Sequence, residues 1–231
     1  MTMEQKMPLL DLQFAFFFAN PPINLKFDEF SVDVRRKSVF KENDLDLQTF
    51  IFPLPSDVPQ DIPRCQITAT NNRFGLSISG MRCDINLNVE QAYSIETFNK
   101  IVFSIMQVFR EYNVEIIRVG YITRYIIKSK FPDQAIKEGF LKVNEPDVSE
   151  PFVRFVFKGS INSISFNDLY QIELGKQNNF ATGMQEDVIL ISQDFNSSSE
   201  NTSVINEQTL DTFIRNIPKD RIQSYISTLS K

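Results

Sequence analysis

The stretch Ser94-Ile-Glu-Thr-Phe-Asn-Lys-Ile-Val-Phe-Ser-Ile-Met-Gln-Val-Phe-Arg-Glu-Tyr-Asn113, followed by Val114-Glu-Ile-Ile-Arg-Val-Gly-Tyr-Ile-Thr-Arg-Tyr-Ile-Ile-Lys128, decides the fold. Phe98, Ile101, Val102, Ile105, Met106 and Phe109 recur at three- and four-residue steps, the period of an amphipathic helix. Ser94 is a suitable N-cap, Glu96 suits the positive first turn, and Arg110 suits the last. Asn113 can take the left-handed position that ends a helix. This predicts a helix from Ile95 to Tyr112. The next fifteen residues are rich in Ile, Val, Tyr and Thr and read as one long strand. Its Val119, Tyr121, Thr123, Tyr125 and Ile127 fall on one face. Arg118, Ile122, Arg124, Ile126 and Lys128 fall on the other. A long apolar-striped helix running straight into a long strand implies helix packed on sheet.

Working outward, residues 12–19 and 26–35 read as strands around the Asn20-Pro21-Pro22 turn, with a charged loop at 36–46 and a short strand at 47–52. Prolines 53, 55, 59 and 63 punctuate an extended connection, because proline removes a ladder donor. Residues 65–70 and 74–78 form a hairpin over Asn71-Asn72, since Asn tolerates positive φ. Cys83, Ile85, Leu87 and Val89 alternate with Arg82, Asp84, Asn86 and Asn88, the mark of a half-buried strand. Downstream, 131–141 reads as a short helix. Residues 152–158 and 161–169 form strands turning at Gly159-Ser160, with a further short strand at 171–175. Residues 186–196 alternate again, and 196–203 is a polar loop. Asn206 or Ser203 can cap a closing helix whose Leu210, Phe213, Ile214 and Ile217 form a stripe; Pro218 can start a second segment at its N1 position, and Ile222, Tyr225, Ile226 and Leu229 continue the apolar spacing.

The expected fold is therefore α+β: a largely antiparallel curved sheet or open barrel built from two similarly ordered halves, 1–113 and 114–231, each closed by a long helix. Neither half shows a linker to the other, so 1–231 reads as a single domain.

The segment Ile116-Ile117-Arg118-Val119-Gly120-Tyr121, with Arg124-Tyr125-Ile126 behind it, resembles a sporadically distributed prokaryotic family whose members are functionally uncharacterised. The ending from Asp194 to the Leu210–Leu229 helix is similar too. The resemblance implies strands, a helix, an Arg-x-Gly strand, more strands and a closing helix. Its patchy distribution implies an accessory role such as genome defence.

Composition excludes much. With no histidine among 231 residues, Ser-His-Asp and Cys-His catalysis, imidazole bases and nearly all mononuclear zinc sites are out of reach. The seven glycines include no phosphate-binding motif. The net charge of −5 lacks the electrostatic footprint of a nucleic-acid binder. Twenty-two phenylalanines and no tryptophan allow a core with few polar atoms to satisfy. Cys65 and Cys83 sit in strands among apolar neighbours and read as buried free thiols of a cytoplasmic protein. Leu9–Ala19 is too short and too interrupted for a membrane span, and no A-x-A site follows. It reads as a first strand buried on both faces rather than a signal peptide.

Two sets of residues retain chemistry. Asp84 and Asp194 stand on the polar faces of the strands preceding the two main helices, where a pair of carboxylates can hold a metal or serve as acid and base. Arg118, Arg124 and Lys128 share a strand face with Ile122 and Ile126, a mixed basic and apolar surface suited to an anion. Solvated strand residues and ion pairs with neighbouring strands are the simpler explanation of both sets. The leading functional reading is a non-enzymatic interaction or binding module without cofactor or metal, engaging a protein partner or a second copy as a homodimer. A carboxylate-dependent, metal-assisted hydrolase and a sensor of small anions are the alternatives.

Overall fold

A computed structural model of the chain describes residues 9–55, 57–89, 93–143, 145, 147, 149–162, 164–178 and 183–229. One nine-stranded sheet, antiparallel throughout, runs through the molecule in the order β2-β3-β4-β5-β1-β6-β9-β8-β7. The strands are β1 (Leu9–Phe18), β2 (Leu47–Ile51), β3 (Cys65–Ala69), β4 (Phe74–Ile78), β5 (Arg82–Asn88), β6 (Ile116–Ile127), β7 (Val153–Ile161), β8 (Ile164–Asn178) and β9 (Gln185–Ser197). The sheet does not close into a barrel: β2 and β7 are its two edges.

The helices are α1 (Phe27–Arg36), α2 (Ser38–Glu42), α3 (Ile95–Glu111), α4 (Pro132–Ile136, continued by a π-helical turn Lys137–Leu141), α5 (Glu207–Arg215) and α6 (Asp220–Leu229). Their apolar residues all meet the same face of the sheet. On β1 that face is Leu12, Phe14, Phe16 and Phe18, all 5% exposed or less. Phe16 and Phe18 meet Phe109 of α3 edge-on at ring distances of 5.7 and 5.3 Å, and Phe30 of α1 stacks on Phe109 at 5.0 Å. Phe213 of α5 meets Phe195 of β9 at 4.7 Å. A second cluster, around Tyr125, Tyr170, Ile172 and Ile191, lies under α4 and α6. Such aromatic contacts add about 0.5–1.5 kcal/mol each beyond area burial.

Ser94 caps α3 through its Oγ, which accepts from the Thr97 amide at 3.1 Å, and Asn206 caps α5 in the same way at 2.9 Å. Asn113 (φ 55°) takes the expected left-handed position after α3, as does Asn72 (φ 58°) in the 65–78 hairpin.

Several expectations are corrected. Residues 26–35 form helix rather than strand. Phe30 and Val34, both fully buried, lie four apart between acidic Asp28, Glu29 and basic Arg35, Arg36 at the two ends, an arrangement complementary to the helix dipole. The 36–46 loop holds α2. β1 is buried on one face only, since Gln13, Ala15 and Phe17 look away from the helices. The β7–β8 ladder continues through Gly159–Phe166 to Ile161–Ile164, so the chain reverses beyond Ile161, where Asn162 takes φ 48°, and not at Gly159-Ser160. Residues 171–175 belong to β8. The second half closes with two short helices in place of one long one, because Pro218 interrupts between them. Cys65 and Cys83 both stand opposite Ile78, one on each side of β4. Two strand spacings, about 9.6 Å, separate them, beyond the reach of a disulfide. Both are free.

Candidate functional site

The helices leave the other face of the sheet uncovered at its centre, and there the two halves meet. Phe14 pairs with Tyr121 across the β1–β6 ladder. The outer neighbour of Phe14 is Ile85 on β5, and the outer neighbour of Tyr121 is Phe195 on β9. One residue before each outer neighbour stands an aspartate, Asp84 or Asp194. One residue after stands an asparagine, Asn86 or Asn196. By period-two alternation these four side chains turn to the open face. The registers thus give the two Asp-apolar-Asn triplets equivalent places about the central pair.

Between the triplets, Ala15 and Gly120 face each other and keep the floor low. A groove of about 300 Å³ opens above them, lined by Phe17, Arg82, Asp84, Arg118, Asp194 and Asn196, among others. A Cβ placed on Gly120 would meet only the Asn196 Cβ, at 3.6 Å, so the glycine is not demanded by packing.

The charges in the groove are held in different ways. Asp84 accepts from Arg82 Nε at 2.8 Å. Asp194 accepts from Asn196 Nδ2 at 2.9 Å, and Asn196 in turn accepts from Asn167 at 3.1 Å. Burial pushes both carboxyls above the ordinary aspartate range. The Arg82 guanidinium opposes the shift at Asp84; at Asp194 the Asn196 hydrogen bond and the Arg118 charge oppose it. Arg118 lies over the Phe17 ring at 4.5 Å, with Arg82 5.9 Å from the same ring.

Asp84 and Asp194 share this face but do not form a pair. The line Asp84–Ala15–Gly120–Asn196 crosses three strand spacings, and Asp194 lies two residues further along, so their Cα atoms are on the order of 15 Å apart. No single metal ion spans that gap at carboxylate distances of about 2.0–2.6 Å. Among the described residues no group of three His, Cys, Asp or Glu side chains converges on one point.

The basic set divides. Arg124 pairs with Asp11 at 3.2 Å across the β1–β6 ladder, and Lys128 pairs with Glu186 at 3.6 Å. Only Arg118 faces the groove. Arg82, Phe17, Asn86, Asn196 and the Ala15–Gly120 floor were not singled out from the sequence. The repeated triplets, Asp84-Ile85-Asn86 and Asp194-Phe195-Asn196, each shortly before a capped helix, are the signal that points to them.

A second polar cluster lies on the helix side. Asp168 is fully buried on β8 and accepts from Tyr170 Oη (2.9 Å), Gln193 Nε2 (2.8 Å) and Arg221 Nη1 (2.9 Å). Gln193 also donates to the Pro218 carbonyl at 3.1 Å, and Arg221 lies 3.8 Å over the Phe157 ring. Both Asp168 oxygens, Tyr170 Oη, Gln193 Nε2 and Arg221 Nη1 are partnered, so the cluster ties α6 to β8 and β9 as a structural clamp.

No family model matches the chain, and no curated protein matches it. Among solved structures, a phage SAM lyase in complex with S-methyl-5'-thioadenosine aligns with 54% of this chain and 88% of its own, at 10% identity and a TM-score of 0.26. A likeness of that size carries no functional argument. No helix among the described residues is long and apolar enough to cross a membrane.

Proposed function

We propose that this chain is a non-enzymatic binding module and that its binding surface is the uncovered centre of the sheet. The observation that supports this most is the groove over Ala15 and Gly120. It combines a low floor, polar walls and an aromatic ring braced by two guanidinium groups, on a rigid sheet rather than on loops. The separation of Asp84 from Asp194 counts against the metal-assisted hydrolase, which needs both at one reacting group.

A thermal-shift screen of small acids, bases and sugars against wild type and Gly120→Leu tests the proposal. The leucine side chain fills the groove. A ligand at 100 times its Kd stabilises by about 2.7 kcal/mol. For a chain of this size that is about 5–11 °C in Tm, expected for wild type and absent in Gly120→Leu. Turnover of any compound that disappears in Asp84→Asn or Asp194→Asn overturns the non-enzymatic reading.

Self-association is a second reading, favoured by edge strand β2, where Phe50 and Ile51 are 47% and 46% exposed. An edge with free backbone groups and apolar side chains pairs readily with a second copy, and antiparallel β2–β2 addition closes as a two-fold homodimer. Sedimentation of wild type and Phe50→Lys across a concentration series tests it: a dimer lost in the variant supports the reading, and a monomer throughout removes it.

A further inference from the structure

On and just beyond β5 and β6 the chain carries four cations, and three already have anionic partners. Arg82 is paired with Asp84, Arg124 with Asp11 and Lys128 with Glu186. Arg118 is different. It makes no ion pair or hydrogen bond among the described residues, and its Nε is shut off from solvent without an acceptor. Its Cζ lies over the Phe17 ring, 4.5 Å from the centroid. Asp194 feels the Arg118 charge but takes its hydrogen bond from Asn196. A buried donor left without an acceptor is costly, the more so on a charged group. Nε itself is out of a ligand's reach, but Arg118 lines the groove, and the terminal amino groups of the same guanidinium can take an acceptor from outside.

We infer that Arg118 is the anion-recognition residue of the groove and that the ligand is a small organic carboxylate. This rests on the open-face binding reading and names the ligand class for it. A guanidinium already held over a ring offers its fork to a planar carboxylate with less side-chain freedom left to lose. Arg82 and Arg118 balance Asp84 and Asp194 in the groove, so one added negative charge at Arg118 is tolerated better than the two of a phosphate dianion. The usual phosphate cradles are missing from this face as well: every described helix packs on the opposite side of the sheet, and Gly120 is the only glycine in the groove. The groove volume, about 300 Å³, lies at the small-metabolite end of ligand sites. Asn86, Asn196 and Asp84 are placed to meet the polar remainder of the molecule.

The test is a ¹⁵N NMR titration of the full chain, following the arginine Nε–H and backbone amide signals, with acetate, succinate, benzoate, inorganic phosphate and putrescine as probes. The expected result is a saturable shift of the Arg118 Nε–H signal with at least one carboxylate, at least fivefold tighter than with phosphate. Arg118→Gln then loses at least tenfold in affinity. Arg118→Lys, which keeps the charge but not the fork, falls between. Asp194→Asn binds the carboxylate severalfold more tightly, because a neighbouring negative charge is removed. Tighter binding of phosphate, or unchanged carboxylate affinity in Arg118→Gln, overturns the inference. If only putrescine shifts open-face amides, the inference fails while open-face binding stands. If no probe shifts any open-face signal, the carboxylate assignment fails, and the thermal-shift screen then decides the broader reading separately.

Discussion

Arg221→Met isolates the buried clamp that fastens α6 to the sheet. Asp168 is 0% exposed and, among the described residues, pairs with one cation, the Arg221 guanidinium at 2.9 Å. Methionine preserves the aliphatic stem over Phe157 but leaves the carboxylate buried with only Tyr170 and Gln193 as donors. Removing one partner of a buried ion pair costs about 3–5 kcal/mol. The Arg221 side chain is 42% exposed, so water reaches the vacated place and the lower end, about 3 kcal/mol, applies. At about 2–4 °C per kcal/mol for a chain of this size, Tm falls by roughly 6–12 °C. The double variant Asp168→Asn/Arg221→Met recovers a large part of the loss, because a neutral carboxamide still serves Tyr170 and Gln193. Urea unfolding of wild type, both single variants and the double variant gives the coupling energy directly. A loss below about 1 kcal/mol in Arg221→Met, with an unchanged urea slope, would refute the reasoning.

Asp194→Asn should raise Tm at neutral pH. Burial holds its folded-state carboxyl above the unfolded value, so its stabilising contribution is complete only below the unfolded pKa, near 3.9, and is lost as pH rises through the folded value. The gain over wild type should therefore close below about pH 4, and melting curves from pH 3 to 8 check it. Cys65 and Cys83 should resist a thiol reagent until the chain unfolds and then react as two thiols without prior reduction; burial pushes Cys65 up to about 11 and Cys83 well above its ordinary value. Asn206→Ala removes the α5 cap and should cost about 1 kcal/mol in urea unfolding. Gly120→Ala should be neutral or stabilising by up to about 1 kcal/mol, since its Cβ meets nothing closer than 3.6 Å.

The elements legible in the sequence were those with local signals that agreed. α3 had period, cap and dipole complement together, and β6 and the 65–78 hairpin had alternation and turn chemistry. Residues 26–35 are ambiguous because Phe30, Val32 and Val34 alternate as a strand would while Phe27, Phe30 and Val34 fall at helical steps, and only the packing of Phe30 on Phe109 decides between them. The 159–160 turn misled because glycine suits a turn, whereas here Gly159 lies across from the Phe166 ring, which occupies the place its Cβ would take. Of the site, sequence alternation could put Asp84, Asp194 and Arg118 on polar strand faces. It could not show that β1 and β6 become neighbours, which alone brings those faces together. Nor could it show that Asp11 and Glu186 neutralise Arg124 and Lys128. The Asp168 clamp left one trace, the break in the series Ile189, Ile191, Gln193, Phe195, where a polar residue takes a buried place.

The claim that the uncovered sheet centre binds a ligand is tested most directly by native mass spectrometry of the full chain purified gently from its own host, wild type beside Gly120→Leu. The wild-type protein is expected to carry a non-covalent small-molecule mass that the Gly120→Leu protein lacks. A small-molecule mass retained equally by both proteins would place the ligand elsewhere and rule out the sheet centre as its site.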